Sequence, residues 1–283
     1  MKSILVPYDF SEEAEYAFEL AQELATKAAC NLKLIHIIEI PTSQSFNTMG
    51  EVSMGENFID KIYMVDLVNK RKEQFKKLEE AHAGKPYKFS TNLSFGNPYA
   101  GISGEITEIK ADLVIMGSKG SSGLEEILIG SNTEKVVRNS ECPVITVKGK
   151  VSSSSIKKIV FASDFGDNNK KVIKKLKVLQ ELLGAEIRLV KINTPNSFEK
   201  SISSMEKISA FIKSNKLENA GIDVFNADSE EEGINEFADF IDADLIAMST
   251  HGRTGFLHLL GGSIAEDVVN SSKKPVWTMK FKK

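Results

Sequence analysis

The sequence predicts a duplicated α/β fold: two tandem copies of an open, mostly parallel sheet with helices on both faces. The first observation behind this is an internal repeat. SILVPYDFSEEA at 3–14 aligns with KIVFASDFGDNN at 158–169, which sets Asp9 on Asp164 and Phe10 on Phe165 at an offset of 155. The offset persists from LKLIHI at 32–37 to IRLVKI at 187–192. Near the end of each half, ADLVIMGSKGSSGLEEILIGSNTEKVV at 111–137 matches ADLIAMSTHGRTGFLHLLGGSIAEDVV at 243–269, now at an offset of 132. The first half therefore carries 23 extra residues in its middle. The second observation is that the apolar runs ILVP, LKLIHII, LVIM and PVITV lack polar alternation, as expected of strands covered on both faces. The third is that helical patterns separate those runs, which implies parallel strands joined by crossovers.

Element by element, Ser11 followed by two glutamates marks a helix start with an acidic first turn. Ala14, Ala17, Phe18, Ala21, Leu24 and Ala25 then keep helical spacing, as do Val172, Leu176, Leu179 and Leu183, after which Gly184 can close the helix. Ser131-Asn132-Thr133-Glu134 and Ser263-Ile264-Ala265-Glu266 each have the form of a capping box. VITVK and VWTMK close the copies as edge strands, a liability if unpaired. A first domain over 1–149 and a second over 156–283 are expected, joined near KGKVSSSSIKK, whose serine run reads as a flexible linker.

Length and composition narrow the function classes. At 283 residues two domains are expected, each long enough for its own core. A net charge of −3 offers no broad basic face for nucleic acid. Cys30 and Cys142 stand far apart without Cys/His clustering, which fits a reducing cytoplasm and argues against a disulfide framework or zinc site. The amino-terminal apolar run is too short for a signal peptide, and no run approaches a membrane span. No Ser-His-Asp, Cys-His or paired-carboxylate set can be assembled. A Walker loop is absent, as is the S-G-G-x-D-S loop of adenine-handling pyrophosphatases, so no catalytic residue is expected.

The glycines carry the binding chemistry. Gly117 and Gly120 leave a strand, and Gly130 and Ser131 precede a helix, an arrangement suited to phosphate against backbone amides. On physical grounds alone a capping serine and a phosphate cradle are equally compatible with this stretch. Asp9 reads either as a helix cap or as a site residue. His36 reads as a structural residue at a strand end, His82 as solvated, and His251 and His258 lack metal-ligand partners. The segment 41–64, with Met49, Met54 and Met64, reads as a flap over the site, a partner surface or a tolerated insertion.

The spacing Gly117-x2-Gly120-x9-Gly130-Ser131, with VPYDFSE and DLVIMG, resembles the universal stress protein family in its tandem two-domain form. The resemblance implies a Rossmann-like sheet of five strands in each copy and ATP or ADP as ligand, with Mg2+ if hydrolysis occurs. It implies last strands paired across a pseudo-twofold axis, so that one chain imitates a dimer; further self-association and protein partners stay open. By resemblance Gly117, Gly120, Gly130 and Ser131 would wrap phosphates and ribose, with Asn132, Thr133, Met116 and Lys119 nearby. Asp9 and Ile37 would flank the adenine, and Pro7 belongs to the same binding set. In the second copy Asp164, Ile192, Gly252, Gly262 and Ser263 correspond, but Ser249 replaces the first glycine, and Arg253 stands where the first copy has Ser121. The first copy is therefore the expected nucleotide site and the second a degenerate one. The implied role is a nucleotide-binding stress regulator. The alternative is a scaffold acting through protein contacts, with or without a small apolar ligand.

Overall fold

In the computed structural model, which describes residues 1–39, 58–118, 129–165, 170–251 and 264–281, strands and helices alternate along the chain. The first copy runs β1 (Ser3–Pro7), α1 (Glu12–Ala28), β2 (Asn31–Ile38), α2 (Phe58–His82), β3 (Lys88–Phe95), α3 (Pro98–Glu108), β4 (Leu113–Gly117), α4 (Ser131–Asn139) and β5 (Val144–Val147). The second runs β6 (Lys158–Ala162), α5 (Lys170–Leu183), β7 (Glu186–Asn193), α6 (Ser201–Asn215), β8 (Ala220–Asn226), α7 (Glu230–Phe240), β9 (Leu245–His251), α8 (Ile264–Ser271) and β10 (Val276–Phe281). The strands form one ten-stranded sheet in the order β3-β2-β1-β4-β5-β10-β9-β6-β7-β8. Each half thus has the same five-strand order, and all pairs within a half are parallel.

The local reasons are those the pattern announced. Ser11 is the N-cap of α1, its side chain accepting from the Ala14 amide, and Glu12, Glu13 and Glu15 fill the first turn. Gly184 ends α5 with φ of 64°. β1, β4 and β5 are buried almost throughout, because helices cover both sheet faces. One apolar layer joins alternate strand residues such as Ile4, Val6 and Leu34 to Phe18 of α1, Phe75 of α2, Leu176 of α5 and Phe211 of α6. The other joins Leu5, Val114 and Val160 to Ile102 of α3, Val136 of α4, Phe237 of α7 and Val268 of α8.

The two halves meet at β5 and β10, which pair antiparallel with Trp277 opposite Ile145. The edges expected at VITVK and VWTMK close on each other, so neither is left open. The serine linker differs from expectation. Glu23 of α1 accepts from the Ser153 amide at 2.6 Å and the Ser152 hydroxyl at 2.9 Å, and Ile156 is buried beside them. A carboxylate from the neighbouring helix thus docks a stretch whose composition alone suggests flexibility. Burial would raise the Glu23 pKa, but bonds from Ser153 and Ser152 hold it below the ordinary value. Of the extra segment, residues 58–64 open α2, while Met49 and Met54 lie outside the described residues.

Candidate functional site

Parallel strands put their carboxyl ends on one edge, and strand order reverses between β1 and β4, the switch point where such sheets bind ligands. Just past β1, Asp9 Oδ1 accepts from the Ser11 amide at 3.0 Å and from its hydroxyl, while Ser11 caps α1. Asp9 therefore builds the cap from one residue further out. Between them Phe10 is held in the left-handed region, φ 67°, an unusual place for a bulky side chain. Tertiary packing imposes it. The Phe10 ring meets Tyr8 at 4.8 Å, His36 at 5.1 Å and Phe75 at 5.7 Å, and the Arg71 guanidinium lies 4.0 Å from its centroid. His36 is buried and its Nδ1–H donates to the Tyr8 carbonyl at 2.7 Å. Desolvation pulls its pKa below the ordinary value, so it is a neutral strut, as its strand-end position suggests.

Gly117 has a structural reason the spacing did not disclose. A Cβ there would stand 2.7 Å from the Glu13 Cβ and 2.9 Å from its carbonyl carbon, so the first turn of α1 lies directly against the end of β4. Beyond it, the Gly130 amide donates to the Ser118 carbonyl at 2.8 Å and Thr133 Oγ1 donates to the Gly117 carbonyl at 3.0 Å. These bonds pin the exit of the glycine stretch beside its entry. The expected capping box does not form in the first copy. Gly130 is the N-cap, Ser131 is the first helical residue, and Glu134 turns to Arg138 at 2.6 Å rather than back to the cap. The amides of Ser131, Asn132 and Thr133 consequently have no acceptor among the described residues. Ser118 joins them: it is 1 % exposed and its hydroxyl has no partner among the described residues. Sequence reasoning passed over Ser118 because it occupies a variable position of the glycine spacing.

Ile37, half-buried at the end of β2, lies under α3, where a Cβ on Gly101 would meet it at 2.9 Å. Pro7 is half-buried at the end of β1, and Met116 is buried in the layer of α3 and α4. In the second copy Asp164 is exposed after β6 and Phe165 repeats the left-handed conformation, φ 56°. Ile192 is buried under α7, where a Cβ on Gly233 would stand 2.5 Å from it. Ser249 lies in β9 opposite Met279. Lys119, Gly120, Gly252, Arg253, Gly262 and Ser263 lie outside the described residues.

The profile of the universal stress protein family matches residues 1–148 and again residues 155–280. The chain belongs to the universal stress protein family. A universal stress protein of Methanocaldococcus jannaschii is 35 % identical over 160 residues, covering 53 % of this chain and 97 % of that one. The crystal structure of a universal stress protein from Archaeoglobus fulgidus superposes with a TM-score of 0.74 at 19 % identity, over 99 % of this chain and 96 % of that one. A functionally unknown protein from Pseudomonas aeruginosa gives 0.67 at 19 % identity, over 99 % and 93 %. At that identity the two structures establish the fold alone, and both extend over the full tandem.

In this universal stress protein the first glycine stretch is also tied to the second copy. The Ile129 amide donates to Asn270 Oδ1 at 2.8 Å, and Arg138 Nε donates to Glu266 Oε1 at 2.8 Å. By the repeat, Glu266 answers to Glu134 and Asn270 to Arg138. Arg138 therefore holds a carboxylate in the first turn of both α4 and α8. No helix among the described residues is long and apolar enough to cross a membrane.

Proposed function

We propose that the first copy binds an adenine nucleotide, ATP or ADP, at the carboxyl edge between β1 and β4. On this reading the chain is a nucleotide-responsive stress protein of the cytoplasm, not a robust catalyst. The observation that carries the reading is the uncapped start of α4. A helix opening on Gly130, with three amides unaccepted among the described residues beside the orphaned Ser118 hydroxyl, is chemically suited to phosphate oxygens. The glycine spacing resembling the family's nucleotide-binding signature supports the same place. Gly117, Gly130, Ser131, Asn132 and Thr133, with Gly120, Lys119 and Met116, would hold phosphates and ribose. Asp9 and Ile37, with Pro7, would face the base, and Mg2+ would accompany the phosphates. Asp164, Ile192, Ser249, Gly252, Arg253, Gly262 and Ser263 are the corresponding set of the second copy.

Gly117→Val is a poor probe of this site, because the new side chain would strike the Glu13 backbone. Gly130→Asp is better, since φ of −59° and ψ of 138° suit any residue. An aspartate there caps α4 and places a negative charge where phosphate would bind. Titration calorimetry should show ATP affinity lowered by about tenfold or more, roughly 1.4 kcal/mol, with thermal stability kept or raised. Equal ATP binding by wild type and variant would sink the assignment. A second reading, action through protein contacts, is favoured by the stripe of Phe198 and Ile202, each 74 % exposed, with Met205 at the start of α6.

A further inference from the structure

Where β5 pairs with β10, α4 and α8 lie side by side over the seam. Arg138, in the last turn of α4, grips both carboxylate oxygens of Glu266 in the first turn of α8, with Nε on Oε1 at 2.8 Å. Asn270, in the last turn of α8, accepts at Oδ1 from the Ile129 amide at 2.8 Å, one residue before the N-cap of α4. Each helix end thus meets the other helix's start, and the two helices run antiparallel. An offset of 132 makes Arg138 equivalent to Asn270 and Ile129 equivalent to Gly261. The same position in the two copies therefore reaches across the seam in both directions, but with different chemistry.

A guanidinium carries donors only, so Arg138 has nothing to offer a backbone amide, whereas a carboxamide oxygen accepts one. The Ile129 amide can be tied from the opposite copy, and the amide of Gly261, which lies outside the described residues, cannot be tied by Arg138 in the same way. Asn270 is itself held. Lys148, just past β5, donates to the Asn270 carbonyl at 2.5 Å, filling one of the carbonyls left open at the end of α8. The Ile129 side chain packs on the apolar layer that α4 and α8 share. Both sides of this bond are therefore positioned by independent contacts.

The bond falls where it matters most for the first copy's site. Three contacts fix the exit of the glycine stretch: the Ile129 amide on Asn270, the Gly130 amide on the Ser118 carbonyl, and Thr133 Oγ1 on the Gly117 carbonyl. Of these three, the last two lie within the first copy and the Asn270 bond comes from the second. Directly after them stand the amides of Ser131, Asn132 and Thr133, which have no acceptor among the described residues. A pinned exit holds those donors in one direction before any ligand arrives. A loosened exit would have to be ordered by the ligand, at the expense of affinity.

We propose that the second copy completes the ligand site of the first: Asn270 is a positioning residue that fixes the exit of the glycine stretch across the seam. The first copy's affinity for its ligand then depends on a side chain of the other domain. The proposal rests on the nucleotide reading for the ligand, and adds to it the second copy's part in holding that ligand's site. By linkage the effect is reciprocal, so a ligand in the first copy tightens the bond between Ile129 and Asn270.

The test is calorimetric titration of ATP into the full chain as wild type, Asn270→Leu and Asn270→Asp, with amide hydrogen exchange of Ile129 followed by NMR. Asn270→Leu keeps similar bulk and removes the acceptor. It should weaken ATP binding by about threefold to tenfold, the worth of one hydrogen bond, and speed Ile129 exchange. Asn270→Asp keeps an acceptor in the same place. In raised salt, which screens its added charge, it should bind ATP within about twofold of wild type and keep Ile129 exchange slow. Thermal unfolding should show both variants folded, and ATP should slow Ile129 exchange further in wild type. A residue that only stabilises the seam would move the unfolding midpoint without this pattern of loss and rescue in affinity. Equal ATP affinity of wild type and Asn270→Leu, an Asn270→Asp variant as weak as Asn270→Leu, or Ile129 exchange indifferent to Asn270→Leu overturns the proposal. If wild type binds ATP and Asn270→Leu binds it equally, the proposal falls alone; if wild type binds no ATP, the nucleotide reading fails and the proposal falls with it.

Discussion

Phe10 and Phe165 occupy equivalent places after the first strand of each copy, and both are held left-handed, φ 67° and 56°. That conformation costs an ordinary residue about 1–2 kcal/mol. The first copy braces its phenylalanine with Tyr8, His36, Phe75 and Arg71. The second uses Phe161 at 6.2 Å and Phe211 at 5.3 Å. The backbone shape survived duplication while its support diverged, which teaches that packing, not local preference, defines this loop. Phe75 and Phe211 provide the comparison, since both are buried aromatics from the helix after the second strand. Truncating either to alanine should cost about 3–5 kcal/mol. Phe211→Ala should be the worse, because among the described residues Phe165 then keeps one ring partner, Phe161. Urea unfolding followed by Trp277, the single tryptophan, measures both; a larger loss for Phe75→Ala would break the argument.

A second contrast lies on the other face. In the first copy Glu105 of α3, buried, faces the Lys33 ammonium at 2.5 Å and accepts from Asn92 at 2.7 Å. In the second copy Phe237 stands at the position of Glu105 and Asp223 at that of Asn92. Arg188, equivalent to Lys33, grips Asp223 with two bonds of 2.9 and 2.7 Å. The carboxylate has moved from helix to strand and the cation has kept a partner. Glu105→Phe alone strands Lys33 and should cost about 3 kcal/mol. Adding Asn92→Asp imports the whole second arrangement and should recover most of that loss. Strict additivity of the two substitutions in a thermal-unfolding cycle would show that the pair is not a unit.

These contrasts also explain what the sequence could and could not disclose. Strand positions, the duplication, the Ser11 cap and the Gly184 stop were legible because short-range patterns determine them. The capping box at Ser131 was misread because Glu134 has a competitor, Arg138, which in turn reaches across the seam to Glu266. The linker was misread because Glu23, about 130 residues away, binds its amide and hydroxyl. Gly117 was read for a tight turn and for phosphate, and its contact with Glu13 depends on how closely α1 settles on β4. In the second copy Ile192 is 4 % exposed beneath Gly233, a burial set by how closely α7 settles on β7. Each of these depends on a neighbour that proximity in sequence does not announce.

The smallest contrast offers a fine test of the duplication. α1 and α5 end alike: the Ala29 amide turns back to the α1 carbonyls and the Gly184 amide to the Gln180 carbonyl, both with left-handed φ, 47° and 64°. Alanine carries a Cβ penalty there that glycine avoids, of order 1 kcal/mol. Glycine in turn loses more entropy on folding, by about 0.4–1 kcal/mol. The two nearly cancel, so Ala29→Gly should stabilise the chain by only a few tenths of a kcal/mol, about 1 °C in midpoint for a chain of this size. Gly184→Ala should show the opposite sign by a similar margin, with nothing within 4 Å of the added Cβ to confuse the result. Calorimetric midpoints for the pair decide it. If both substitutions shift stability in the same direction, the two helix ends are not the equivalent stops that the repeat implies.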